Sequence, residues 1–152
     1  GKIIWLRTGL WASQHDVDIA DSTSITIFDN NVNTNYYDQI RWINKDEDPE
    51  KIRRVVDPIE VNVMSRYDFA TDSAYSFATE LVAREKIGTR SQGIFTALSN
   101  GLYFIEETDQ GKIFIGNDQE TVYKKQFISE DSTFLYYPGW TRVYEQIPTK
   151  KN

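Results

Sequence analysis

Short runs of β-branched and aromatic residues, separated by turn residues, dominate the second half of the sequence. The turns are Ser99-Asn100-Gly101, Asp109-Gln110-Gly111 and Gly116-Asn117-Asp118, types of residue that accept positive φ between paired strands. The runs that they separate read as four strands, over residues 94–98, 102–106, 112–115 and 121–127. Four antiparallel strands in a meander of roughly forty residues are typical of one β-propeller blade. The sequence therefore predicts a blade over residues 91–128.

The first half of the chain fits the same pattern with a long insertion. A second blade is predicted over residues 15–85, with a long polar insertion between residues 30 and 57. Its four strands are predicted at 15–18, 23–28, 62–70 and 75–84. The last of these has an alternative. Phe77, Ala78, Leu81 and Val82 fall near helical spacing, so residues 75–85 are also compatible with an amphipathic helix. The strand is preferred because Thr, Tyr and Phe cluster there and the meander needs a fourth strand.

Both ends of the chain read as strands whose partners lie elsewhere. Residues 1–6 are predicted to be the outer strand of a preceding blade, and residues 140–147 an inner strand that closes the ring. The predicted fold class is all-β, with residues 1–152 forming the C-terminal blades of a larger propeller. Because a partial propeller exposes sheet edges, we expect the remaining blades of the same protein, or another copy, to cover them.

Composition excludes several classes of function. The chain has 23 acidic and 17 basic residues and a formal net charge of −6, which disfavours nucleic acid as a partner. It has no cysteine, so disulfides, thiol catalysis and cysteine-ligated metals are excluded for these residues. No apolar run is long enough to predict a transmembrane helix.

The residues with the most chemical content surround the single histidine of the chain. Gln14-His15-Asp16 is followed by a hydrophobic strand that ends in Phe28-Asp29-Asn30-Asn31. This order resembles the arylsulfotransferase family, in which a Gln-His-Asp-like segment precedes a strand ending in Phe-Asp-Asn. The resemblance extends over nearly the whole chain, through residues 4–7, Trp11, and residues 89–93, 98–101 and 139–144.

The resemblance implies a reaction independent of phosphoadenylyl sulfate and of any other cofactor or metal. A phenolic sulfate ester would donate its sulfuryl group to His15, and a phenol would then accept it; a neutral imidazole is a competent nucleophile for this step. Arg90 and Arg142, with Arg7 as a further candidate, would stabilise the charge on the sulfuryl oxygens. Gln14, Asp16 and Trp140 would contact the substrate, and Asp16 or Asp18 would hold one tautomer of the imidazole. The family's association with export implies a periplasmic or extracellular location.

Three other interpretations of these residues stay open. The family site also uses a His-Asn and a His-Arg segment from earlier blades, and this chain has no second histidine. The alternative is then a non-catalytic propeller used for binding or assembly. A metal hydrolase built on His15, Asp16 and Asp18 is disfavoured because one nitrogen ligand is too few for a transition metal. The aromatic residues Trp5, Trp11, Tyr136, Tyr137 and Trp140 favour packing between blades over a platform for stacking phenols.

Overall fold

The structure, a computed structural model, describes residues 1–3, 5–7, 10–31 and 61–144. This part of the chain forms two four-stranded antiparallel sheets and one short helix. The elements are β1 Gln14–Ile19, β2 Ser24–Asp29, β3 Val63–Asp68, β4 Ser73–Phe77, α1 Thr79–Glu85, β5 Ile94–Ala97, β6 Tyr103–Glu107, β7 Lys112–Gly116 and β8 Thr121–Gln126.

Each sheet is a simple meander in which every strand pairs with the next one along the chain. The orders are β1-β2-β3-β4 and β5-β6-β7-β8, all antiparallel. The four strands predicted between residues 94 and 127 correspond to β5–β8. The architecture confirms the predicted fold class: antiparallel four-stranded meanders of a partial β-propeller.

The prediction of one continuous strand over residues 75–84 is wrong in its second half. The strand stops at Phe77, Ala78 turns into the left-handed region at φ 54°, and α1 follows. Leu81 and Val82 are buried by the helix at the spacing that favoured the helical alternative. Asp118 Oδ1 accepts the N–H groups of Glu80 (3.1 Å) and Leu81 (3.3 Å), which satisfies donors that a helix start leaves unpaired. A turn of the second sheet thereby stabilises a helix that follows the first.

A continuous hydrophobic core joins the two sheets. Phe28 of β2, Leu81 of α1, and Ile105 and Phe114 of the second sheet are all buried within it. Phe95 of β5 lies 4.8 Å from Phe77 and 5.4 Å from Tyr103, measured between ring centroids. Burying side chains of this size stabilises the fold by about 2 kcal/mol each. Packing of these side chains between the two sheets therefore contributes to the stability of the described residues.

A buried amide network holds the loop that leads from α1 into β5. Asn30 Nδ2 donates to the carbonyl oxygens of Thr89 (2.9 Å) and Gln92 (2.7 Å). Asn62 Oδ1 accepts the Thr89 N–H at 2.8 Å, and Asn62 Nδ2 donates to the Thr89 and Asn30 carbonyls, both at 2.9 Å. Because buried polar groups are costly when unpaired, these bonds fix the backbone of residues 89–92 against the first sheet.

The domain boundaries at the ends of the chain stay predictions. Residues 1–3, 5–7 and 140–144 are described and have no strand assignment, and the predicted pairing partners of 1–6 and 140–147 belong to other blades. Residues 145–147, and the insertion from residue 32 onward, lie outside the described residues. Within the described part of the chain, no helix is both long and apolar enough to cross a membrane.

Glu107, at the end of β6, makes stability depend on pH. The side chain is buried, its Oε1 accepts the Gln110 N–H at 3.2 Å, and its Oε2 has no hydrogen-bond partner among the described residues. Burial raises the pKa of Glu107 to about 7, against the opposing effects of the Gln110 N–H and Lys112, with Asp109 adding to the rise. The pKa of Glu107 is lower in the unfolded chain than in the folded one. The contribution of Glu107 to the free energy of unfolding is therefore greatest at acidic pH and falls as the pH rises toward 7.

We therefore expect Glu107→Gln, which mimics the protonated acid, to be more stable than the parent at about pH 8 by about 1–2 kcal/mol, after allowance for solvent screening. Near pH 4.5 the two proteins should have nearly equal free energies of unfolding, measured by urea denaturation at both pH values. The exposed residue Glu130 supplies the control, since Glu130→Gln should show no such pH-dependent gain. A gain of the same size at both pH values would contradict this explanation.

Candidate functional site

The start of β1 carries a β-bulge at the position of the only histidine. His15 pairs with Phe28 and Val17 pairs with Ile27, so Asp16 is the extra residue on β1. Asp16 has φ 44°, in the left-handed region, where non-glycine residues are uncommon. In a regular strand, successive side chains point to opposite faces. The bulge instead lets His15 and Asp16 line the same pocket.

The pocket lies between the first strands of the two sheets and has a volume of about 150 Å³. It is lined by His15 and Asp16 of β1, by residues 92–94 at the entry to β5, by Glu106 of β6 and by Trp140. An engineered protein cavity of about this volume binds benzene. The pocket therefore has room for one aromatic ring.

Asp16 connects this pocket to the second sheet. Its Oδ2 accepts the backbone N–H of Phe95 at 2.8 Å, so the bulge is joined to β5. Burial raises the pKa of Asp16, the Phe95 N–H opposes the rise, and nearby charges act in both directions: Asp18 and Glu106 raise the pKa and Arg142 lowers it. This hydrogen bond links the Asp16 carboxylate to the backbone of Phe95 and not to the His15 imidazole. Its predicted role in holding the His15 tautomer stays a prediction.

Glu106 is a pocket residue that sequence reasoning missed. It lies on β6, its side chain is only 1 % exposed, and its Oε2 accepts the Thr141 N–H at 3.0 Å. This bond holds the segment that carries Trp140 and Arg142 against the second sheet. One signal was present in the sequence, because Glu106 interrupts a strand whose preceding residues, Phe104 and Ile105, are apolar.

Of the other predicted site residues, Trp140 lines the pocket, whereas Gln14, Arg90, Arg142 and Arg7 do not. Trp140 lines it and is 67 % exposed, and the Arg142 guanidinium lies 5.7 Å from the Trp140 ring centre. Gln14 is exposed beside His15 and does not line the pocket.

Two predicted arginines lie outside the pocket lining. The backbone N–H of Arg90 donates to Asp109 Oδ2 at 2.8 Å, and Arg90 does not line the pocket. Arg7 forms a 3.1 Å ion pair with Asp72 at the turn between β3 and β4.

The tryptophans among the predicted aromatic set lie in two different environments. Trp5 and Trp11 pack against Tyr67, with ring centroids 5.1 and 5.9 Å away, whereas Trp140 faces the pocket. Among the residues that the structure describes, no three His, Cys, Asp or Glu side chains are grouped as a metal site would require.

Comparison with known proteins bears on the identity of the chain. No curated protein and no solved structure matched it. A family model described as arylsulfotransferase (ASST) matches residues 1–127. The match includes the pocket residues His15, Asp16, 92–94 and Glu106, and Trp140 lies beyond it. Since the matched residues make up most of the chain's 152 residues, this chain belongs to the arylsulfotransferase family.

Proposed function

We propose that this chain takes part in transfer of a sulfuryl group from a phenolic sulfate ester to a phenol, with His15 as the transient carrier. The observation that carries the proposal is the position of His15, which lines a pocket with room for one aromatic ring beside the exposed indole of Trp140. Membership of the arylsulfotransferase family supports the class of substrate. By the same association, the proposed location is the periplasm or the cell exterior.

In the first step, a neutral imidazole nitrogen of His15 attacks the sulfur of the aryl sulfate. The S–N bond forms, the S–O bond to the aryl group breaks, and the aryl oxide leaves with the bonding electrons and takes a proton from solvent. In the second step, the oxygen of the acceptor phenol attacks sulfur and the S–N bond breaks, returning its electron pair to the imidazole. The phenol proton passes to a pocket carboxylate, Asp16 or Glu106, and then to solvent.

Charge on the transferring group needs cationic or N–H donors, as in phosphoryl transfer. Arg142 is the first proposed donor, since its charge acts on Asp16 and its guanidinium lies over Trp140, and both of those residues line the pocket. Arg90, in the loop before β5, remains a proposed donor. Its side chain would have to move to reach the sulfuryl group in the pocket. Gln14, exposed next to His15, is proposed to contact the substrate from the rim.

A non-catalytic binding module is the second candidate, and one observation favours it. Two carboxylates, Asp16 and Glu106, line the pocket with His15, and negative charge repels an anionic sulfate ester. Under this alternative the pocket recognises a ligand without changing it.

Transfer itself separates the two candidates. The natural protein that contains this sequence is incubated with 4-nitrophenyl sulfate and a second phenol, and the sulfated acceptor is measured by liquid chromatography and mass spectrometry. The proposal predicts that 4-nitrophenol release requires the acceptor and follows ping-pong kinetics. If no sulfated acceptor forms while an active arylsulfotransferase produces it under the same conditions, the binding module is the better account.

A further inference from the structure

We infer that Glu106 and Asp16 set the acceptor specificity of this pocket and that it favours phenols bearing an ammonium group over neutral or carboxylate-bearing phenols. The inference deepens the proposed function because it names the chemical class of the molecule held beside His15. It rests on the proposed function in one respect, that this molecule is the acceptor of the sulfuryl group. The preference for binding such a molecule is measured separately from transfer.

The first argument is the concentration of negative charge. Glu106 is 1 % exposed, and its carboxylate accepts a hydrogen bond from a neutral backbone N–H, that of Thr141. Asp16 lines the same pocket, so the two carboxylates concentrate negative charge there. Charges removed from water interact more strongly than exposed ones, because the effective dielectric constant is lower. A cation that enters the pocket thus gains favourable interactions with two acidic groups.

The second argument is the aromatic wall. The Trp140 indole is 67 % exposed, and the Arg142 guanidinium already lies 5.7 Å from its ring centre. The structure therefore contains a cation over this ring, and its charge also acts on Asp16, whose pKa it lowers. An ammonium group on a ligand that takes the place of this guanidinium would make the same cation–π contact and be attracted to the same carboxylate.

The third argument is size. The volume of about 150 Å³ fits a single aromatic ring with a short substituent. A phenol with an ammonium on a two-carbon arm would place its ring in the pocket and its charge near the pocket carboxylates, Asp16 and Glu106. By the same charges, a phenol that carries a carboxylate is repelled.

The test compares three phenols of matched shape: 4-(2-aminoethyl)phenol, the neutral 4-ethylphenol and the anionic 4-hydroxyphenylacetate. Dissociation constants are measured by NMR titration or calorimetry with the natural protein that contains this sequence. We expect the ammonium compound to bind about tenfold more tightly than 4-ethylphenol, and the carboxylate compound to bind most weakly. Equal binding of the ammonium and neutral compounds would overturn the inference.

Glu106→Gln is the informative variant because its amide oxygen still accepts the Thr141 N–H while the charge is lost. It should reduce the ammonium preference to about threefold or less, and the exposed control Glu130→Gln should leave it unchanged. Asp16→Asn is a second, independent variant with the same expected direction, for use if Glu106→Gln does not fold. A tenfold preference that survives in the folded variant would overturn the assignment to these carboxylates.

His15→Ala separates this inference from the proposed function. The ammonium preference should persist in that variant, because it depends on the carboxylates of Glu106 and Asp16, whereas transfer should be lost. Transfer in the parent without an ammonium preference would refute this inference alone. An ammonium preference without transfer in the parent would refute the proposed function alone and leave a pocket that binds aromatic cations.

Discussion

Replacing His15 with alanine is expected to lower the rate of sulfuryl transfer by about a thousandfold or more. The imidazole is the proposed nucleophile, and removing a nucleophile that forms a covalent intermediate costs several orders of magnitude. The side chain is half-buried at the start of β1, so the substitution should leave the free energy of unfolding almost unchanged. The effect is measured as sulfated phenol formed per unit time, together with urea denaturation of the same protein.

Gln119→Ala provides the control for this experiment. Gln119 is exposed in the turn between β7 and β8, outside the pocket, and its replacement should alter neither transfer nor stability. If His15→Ala retained more than about a tenth of the parental rate while remaining folded, the covalent role of His15 would be wrong.

Gly93→Ala is expected to destabilise the protein by about 3 kcal/mol or more, because it combines steric overlap with backbone strain. Gly93 has φ 117°, and a Cβ at this position would lie 2.5 Å from the nearest carbon of the Phe28 ring. Phe28 is fully buried in the core that joins the two sheets, so its ring cannot move away without displacing neighbours. Gly93 also lines the pocket, so transfer should fall with stability.

Two other glycines separate the causes of this effect. Gly101 has φ 81° with open space around a Cβ, and Gly139 has open space and no strained φ. Gly101→Ala should therefore cost about 1–2 kcal/mol from strain alone, and Gly139→Ala should change the free energy of unfolding by less than about 0.5 kcal/mol. Equal urea midpoints for the Gly93 and Gly139 variants would show that the contact with Phe28 is not rigid.

The second sheet was predictable because its local signals agree. The strands from β5 to β8 are short and rich in β-branched and aromatic residues, and each is separated from the next by turn residues such as Asn100-Gly101 and Gln110-Gly111. Turn chemistry and residue pattern therefore give nearly the same boundaries. The helix α1 was harder to predict. Its start depends on a left-handed Ala78 and on N–H groups accepted by Asp118, a contact over a long sequence distance that no local pattern reports.

The site was predictable only in part, for a similar reason. His15 and Asp16 are adjacent in the sequence, and their motif carried the family resemblance. That both line one pocket depends on a bulge in the pairing of β1 with β2, which the motif does not reveal. Glu106 is brought to His15 by the packing of the second sheet on the first, and its separation along the chain hides this proximity.

The most direct test of the central claim is the mass of the protein after reaction with an aryl sulfate alone. The natural protein that contains this sequence is incubated with 4-nitrophenyl sulfate, digested without acid, and analysed by mass spectrometry. Our account predicts an acid-labile addition of one sulfuryl group on the peptide containing His15, which disappears when a phenol is added. An unmodified His15 peptide in a protein that still sulfates the phenol, or the addition on another residue, would contradict it.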